Sequence, residues 1–363
     1  AESTLPGETV TKLTHMPGDT DARYAFDTEW YDEVACLKRH FSLLYFESDG
    51  SVEMIDSKTR RTFLKRCVCP GVTLSDLHVG STVTVYARQL KVLGYADAVT
   101  GRRFEPVSER TVAFVTTEAR ALLGEALELA AAASLAVSEL RVLSLSPSQA
   151  SSLFPHDSRA AARACAGPLV AIELKGARAV SAWRAAIAGR AGAEGSADGA
   201  EAAAQAKLLF GGSAPLARCD PRGGLLLVKP HAVREGRLGG IVRDVVAAGF
   251  ELVAGRSAAL SRVNASEFLE VYQGVSPEAR EWAEELSQGG CVALQLVLTA
   301  EPQRSVAALR ELCGAHDPAV AERIHPKSLR ARYGEDKVRN GVHCTDLPED
   351  APLEAEYFFS LLP

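Results

Sequence analysis

Paired thiols at metal spacing are missing from this chain. Eight cysteines lie at 36, 67, 69, 165, 219, 291, 313 and 344, and no two have Cys-x-x-Cys spacing. A zinc site or dithiol redox motif is therefore not expected. No apolar run reaches the ~18 residues that a membrane helix needs; the Ala-rich stretch from Glu125 to Ala133 is broken by acids. An excess of positive charge is also missing, because 40 Lys and Arg face 46 Asp and Glu, for a formal net charge of −6. That balance argues against a nucleic-acid partner, which asks for a basic face. There is no secretory leader pattern, and the chain opens on Ala1 rather than Met, so its start is expected to be incomplete.

What is present is a soluble globular balance of 47% hydrophobic and 24% charged residues over 363 positions, enough for two or three domains. A core of that size needs no disulfides, and a reducing, intracellular compartment is expected. Aromatics are densest in the first segment, about 22–106, which reads as β. Phe41–Phe46 and Ser51–Ile55 flank Ser48-Asp49-Gly50, a hairpin signal, and Thr82–Tyr86 alternates polar with apolar.

The second and third segments resemble one another, so an internal repeat organises the rest. Thr111–Val115 opens one unit and Leu225–Val228 the other. Helical stretches follow over Leu122–Ala133 and Leu238–Ala248, then β-prone runs at Leu140–Ser144 and Glu251–Ala254. Ser146 and Ser261 each stand at a helix N-cap. Gly167–Glu173 matches Gly289–Gln295 as a buried strand, and Val180–Ile187 matches Val306–Cys313 as a helix. The order β-α-β-α-β-α fits a ferredoxin-like α+β sandwich. A Rossmann fold lacks its glycine fingerprint. Ala188–Ala206, nearly all Ala, Gly and Glu, reads as a flexible insertion rather than a packed element.

The chemistry concentrates near the end. Asn340, His343, Thr345 and Asp346 fall within seven residues, close to Arg330, Arg332, Lys337 and Arg339. An imidazole among cations and hydrogen-bonding groups suits phosphoryl chemistry: it can attack a γ-phosphate while the cations spread the developing charge. A carboxylate such as Glu354 can fix the tautomer by holding one ring nitrogen.

Val228-Lys-Pro-His-Ala-Val233 resembles the opening Lys-Pro-Asp motif of nucleoside diphosphate kinases, and Asn340-Gly-Val-His-Cys-Thr-Asp346 resembles their Asn-x-x-His-Gly-Ser-Asp signature. The resemblance covers the third segment, 223–361. It implies a ping-pong transfer of γ-phosphate between nucleotides through a phosphohistidine, with Mg²⁺ carried by ATP or another nucleoside triphosphate. It implies that His343 is the nucleophile and Glu354 its orienting partner. Lys229 and Tyr272 would hold the transferred phosphate, Arg310 and Arg330 would clamp the tail, and Asn340 would meet ribose and phosphate. Thr345 keeps the signature hydroxyl, Trp282 is the candidate for stacking on the base, and His316 aligns with a phosphate-contacting threonine. The family's Asp after Lys-Pro is His231 here, and Gly-Ser is Cys344-Thr345.

The first unit, 110–213, resembles a degenerate copy of the same domain. Its Lys-Pro position reads Thr116-Thr117, Arg184 matches Arg310, Lys207 stands at the position of Arg330, and the His-bearing segment is absent. Residues 22–108 resemble the DM-ten domain of ciliary proteins, a pleckstrin-like β module, through Phe26–Asp32, Asp49–Met54 and Arg61–Arg66. The whole is therefore expected to be α+β: a pleckstrin-like domain followed by two ferredoxin-like kinase domains. This layout implies a cytoplasmic, cytoskeletal protein associated with microtubules, in the axoneme of the cilium or flagellum or at the basal body or centrosome. It would sit on axonemal doublet microtubules with tubulin and axonemal neighbours as partners, within the lumen in some members. No membrane partner is expected.

Overall fold

Two sheets organise the chain in the computed structural model, which describes residues 22–32, 35–104, 109–190, 193–212 and 214–362. The first belongs to the N-terminal module: β1 (Arg23–Asp32), β2 (Leu37–Phe46), β3 (Ser51–Asp56), β4 (Thr62–Val68), β5 (Thr82–Val85) and β6 (Arg88–Tyr95). They form an antiparallel sheet in the order β4-β3-β2-β1-β6-β5. The expected hairpin joins β2 to β3, with Phe46 opposite Ser51. Phe26, Phe41, Leu43, Met54 and Leu90 belong to one buried core, and α1 (Ala98–Phe104) packs against it by setting Phe104 edge-on to Tyr24 at 4.7 Å. The expected boundary near residue 106 lies outside the described residues.

The first repeat unit runs β7 (Glu109–Val115), α2 (Leu123–Ala132), β8 (Ala136–Leu143), α3 (Pro147–Leu153), α4 (Ser158–Cys165), β9 (Leu169–Gly176), α5 (Ala179–Ala186), β10 (Ala193–Gly195) and α6 (Gly199–Phe210). The second runs β11 (Gly224–Val228), α7 (Pro230–Arg234), α8 (Leu238–Ala247), β12 (Phe250–Ala259), α9 (Arg262–Phe268), α10 (Ala279–Leu286), β13 (Gly290–Leu298), α11 (Ser305–Cys313), α12 (Pro318–Ile324), α13 (Leu329–Tyr333), β14 (Val342–Cys344) and α14 (Ala351–Glu356). Ser146 and Ser261 cap α3 and α9 as expected, each accepting a backbone N–H.

The units share one sheet of order β10-β7-β9-β8-β12-β13-β11-β14, which reads as the same path from either edge. All its described pairings are antiparallel, which excludes the parallel Rossmann alternative. At the centre Arg141 of β8 faces Arg256 of β12. Behind this seam α2 packs on α8 through two glycines at equivalent places. A Cβ at Gly124 would lie 2.6 Å from the backbone N of Arg243, and one at Gly239 would lie 2.6 Å from the backbone N of Glu128. Each glycine thus meets the residue four positions beyond its counterpart. The Glu128 carboxylate and the Arg243 guanidinium form an ion pair there.

Two expectations are corrected. The Ala-rich segment is not a flexible insertion, because residues 199–210 form α6. Asp198 caps it by accepting from Glu201 N at 2.8 Å, and Ala202, Gln205, Ala206 and Leu209 bury one face. A stripe of small side chains at helical spacing lets the helix lie close on β7, which composition alone conceals. Nor is the edge segment of the first unit absent. β10 pairs with β7 as β14 pairs with β11, and Glu194 lies opposite Phe114 where His343 lies opposite Leu227. α6 then follows the edge strand as α14 does, so Lys207 does not stand at the place of Arg330.

A side chain at the helix contact should break the close approach. Gly239→Val is expected to lower unfolding free energy by about 1–3 kcal/mol through overpacking, measured by denaturant unfolding. The same change at Gly240, whose added Cβ would meet chiefly the Tyr333 side chain, should cost less.

Candidate active site

β14 is three residues long and adds to the outer edge of the sheet beside β11. Its direction is set by the loop before it. Val338 O accepts from Lys229 Nζ at 2.8 Å, Lys337 O accepts from Trp282 Nε1 at 3.1 Å, and the Asp336 carboxylate accepts from Val338 N and Arg339 N, each at 2.7 Å. Gly341 ends the loop at φ +84°, with the Tyr333 backbone 3.2 Å from where a Cβ would be, so glycine is required there.

This loop delivers His343 into a partly closed site, 9% exposed. Its Nε2 lies 3.3 Å from Glu354 Oε1 on α14. The other carboxylate oxygen accepts from Thr345 Oγ1 at 2.5 Å, and that hydroxyl accepts from Leu225 N at 2.9 Å. A carboxylate can only accept from a neutral imidazole, so Nε2 carries the proton and Nδ1 keeps its lone pair. Nδ1 has no hydrogen-bond partner among the described residues. Phe268 meets the imidazole edge-on at 5.1 Å, and the Tyr272 ring stands 6.0 Å away.

Asp346 gathers two further groups: Tyr272 donates to Oδ2 at 2.5 Å, and Arg310 Nε lies 3.3 Å from Oδ1. Burial, then the Asp346 contact, pushes the Tyr272 phenol far above its ordinary range, so it stays a donor. Arg330 donates to Gly314 O at 2.8 Å and Val342 O at 3.3 Å, and reaches toward Cys344 Sγ at 4.0 Å. Asn340 is 1% exposed; its Nδ2 donates to His316 O at 3.1 Å and lies 3.1 Å from His316 Nδ1. Burial, with Arg330 and Lys229 nearby, pulls His316 down to about 4, so the ring is neutral near pH 7. Asn340 Oδ1 and His316 Nε2 are buried with no hydrogen-bond partner among the described residues.

The expected residues therefore share one region, with a correction at Trp282. It was expected to stack on a base, but it is 8% exposed, packed between Tyr272 at 5.7 Å and His316 at 4.5 Å, with its N–H already used. Its hydrophobic area is spent in a buried cluster with Leu269, Ala279 and Leu286, so no open face is presented.

Sequence reasoning missed a buried pair beneath the loop. His231 Nδ1 lies 2.6 Å from Glu285 Oε1, and its Nε2 accepts from Gly341 N at 3.2 Å. The residue read as a departure from Lys-Pro-Asp thus ties α10 to the loop that aims His343. The motif marked the position, but nothing in the sequence pointed to Glu285. Phe268 was missed as well, because a lone Phe on a helix gives no signal.

Lys229 is 3% exposed, and burial pushes it down to about 8 from the ordinary 10.5. Between those values the unfolded chain holds a proton that the folded chain has released, so unfolding free energy rises with pH across that window. Thermal melts should show this rise in the wild type and a flatter profile in Lys229→Met. Identical profiles would mean that the lysine keeps its ordinary pKa.

A model of the N-terminal PH domain of nucleoside diphosphate kinase 7 matches residues 18–106, and the nucleoside diphosphate kinase model matches residues 223–362. Nucleoside diphosphate kinase homolog 7 of Rattus norvegicus is 35% identical over 383 residues, spanning 95% of each chain, and that of Mus musculus matches to the same extent. The nucleoside diphosphate kinase of Aquifex aeolicus is 34% identical over 136 residues, 38% of this chain and 92% of its own. The chain belongs to the nucleoside diphosphate kinase homolog 7 family, with a PH-like N-terminal domain and a C-terminal nucleoside diphosphate kinase domain.

Proposed function

We propose that the second repeat unit transfers γ-phosphate between nucleotides through His343, and that the chain does so while bound to ciliary doublet microtubules. The observation that carries the catalytic half is the His343–Glu354 contact, which leaves Nδ1 with a free lone pair. Nδ1 attacks the γ-phosphorus, the bond to the β–γ bridging oxygen breaks, and the diphosphate leaves. The second half-reaction reverses these steps onto an acceptor diphosphate. Glu354 keeps the ring oriented and stabilises the positive charge that forms on it. Lys229, Arg310 and Arg330 offset the negative charge of the transferring group, while the Tyr272 hydroxyl and Asn340 supply hydrogen bonds.

Magnesium arriving on the nucleotide would neutralise phosphate charge and hold the tail's geometry. The donor set fits that division, since the nearby carboxylates Glu354 and Asp346 are already engaged by His343, Thr345, Tyr272 and Arg310.

A purely structural role is the second reading. Glu194 occupies the register position of the nucleophile in the first unit and is ion-paired with Arg163. With Glu194 and not a histidine at that position, the unit has no nucleophile on its edge strand, so it serves as scaffold. The DM-ten resemblance of the N-terminal module supports the axonemal address.

Incubation with γ-labelled ATP should give acid-labile, base-stable label that disappears in His343→Ala. Glu354→Gln should slow labelling by roughly tenfold to a hundredfold through loss of orientation. Mg²⁺-ATP binding without label would leave only the scaffold. Salt extraction of purified axonemes tests the address: release at low salt would argue against a place in the microtubule wall.

A further inference from the structure

A second cationic place in the molecule lies away from His343. A cavity of about 1120 Å³ opens where β5 and β6 of the N-terminal module, the ends of β8 and β12, and the end of α6 come together. None of the residues assigned to the nucleotide site lines it. The module is fastened over it by Thr84, which donates to Ser287 O, by Gln89, which donates to Leu260 O, and by Arg234, which donates to Gly71 O at 3.3 Å. Among the described residues, seven Lys and Arg side chains line the cavity against four carboxylates, an excess of three positive charges in a chain whose net charge is −6.

The repeat shows which of these cations lacks a partner. Arg141 and Arg256 are equivalent residues facing each other at the seam. Arg256 reaches the end of the second unit and donates to Leu362 O at 3.1 Å and Phe358 O at 3.4 Å. Arg141 reaches the end of the first unit and finds the Phe210 ring, 5.7 Å from its guanidinium carbon. Its Nε is buried without a hydrogen-bond partner among the described residues. Lys207, one turn before Phe210 on α6, has no ion-pair partner among the described residues. Glu173 is already engaged by Arg110 at 3.1 Å and Lys175 at 3.2 Å, so it is not available to Arg141. Burial pushes the Glu139 carboxyl up against the pull of Arg141, and no ion pair joins the two among the described residues. A half-buried guanidinium whose Nε lacks a partner beside a cavity is costly unless an oxyanion completes it, and the solvated Lys207 ammonium on the rim adds attraction for such an anion. A guanidinium fork with an adjacent point charge matches phosphate oxygens.

We propose that this junction cavity binds a small soluble oligophosphate anion, held between Arg141 and Lys207. The cavity volume suits a ligand of nucleotide size. Because its walls come from the N-terminal module and both repeat units, the bound anion would lock the three together.

The test uses the full chain with tripolyphosphate as probe, at fixed ionic strength, with Arg310→Glu as the background that repels phosphate from the His343 site. Titration calorimetry should show binding that persists in Arg310→Glu, and thermal melts should shift upward with the anion. Lys207→Gln and Arg141→Gln should each weaken that binding by about tenfold, the loss expected for one charge-assisted contact. Lys207 sits on the exposed rim, so its variant decides the matter should Arg141→Gln fail to fold. Binding that disappears in Arg310→Glu, or that is unchanged in Lys207→Gln, would overturn the proposal. Since the readout is anion binding and not phosphotransfer, an inactive His343 site would not count against it.

Discussion

The carboxylate of Glu354 fixes the state of the site. It is held by Thr345, whose hydroxyl is in turn fixed by the backbone of Leu225, so its free oxygen has one direction left, toward His343 Nε2. From that follow the tautomer, the lone pair on Nδ1 and the tilt of the ring. The strand that carries the imidazole has only three residues, too short to define a side-chain direction by itself. The hydrogen bonds to its preceding loop and to Glu354 supply the rigidity that a longer strand would have.

The surroundings of the ring are expensive to maintain. Lys229 is buried and loses basicity, His316 is kept neutral, and buried polar atoms of Asn340 and His316 go unpaired. Such groups cost free energy. A bound phosphate tail would supply acceptors for the lysine and a polar partner for the amide, so part of that cost would be recovered on binding. Cys344 adds bulk where glycine would leave space, and its thiol is drawn down by a hydrogen bond from Cys313 and by Arg330.

The parts of this arrangement that rest on local spacing were legible in the sequence. The Ser146 and Ser261 caps, the β2–β3 hairpin, the three main strands of each unit and the cluster around His343 all announce themselves within a few residues. The parts that depend on distant partners were not. Glu285 beneath His231 is 54 residues away in the chain, and no local pattern marks it. Trp282 has the size and chemistry of a stacking residue, but only packing shows that its faces are occupied. α6 was hidden by its composition, because alanine and glycine look alike to a test for disorder while a row of alanines on one helical face makes a close contact. Matching Lys207 to Arg330 failed for a related reason: equal spacing from a glycine does not establish equal position in a sheet.

The contact between α2 and α8 has one more implication. Were the two units separate copies of a single chain, symmetry would place the same residue on both sides of the axis, and position 128 would face its own duplicate. A carboxylate would then oppose a carboxylate, or a guanidinium a guanidinium. Because one polypeptide carries both halves, each side can change alone, and Glu128 meets Arg243 as an attractive pair. Covalent linkage also makes the encounter intramolecular, so the pairing does not depend on protein concentration. The same freedom lets Glu194 stand in one half at the register position that His343 holds in the other.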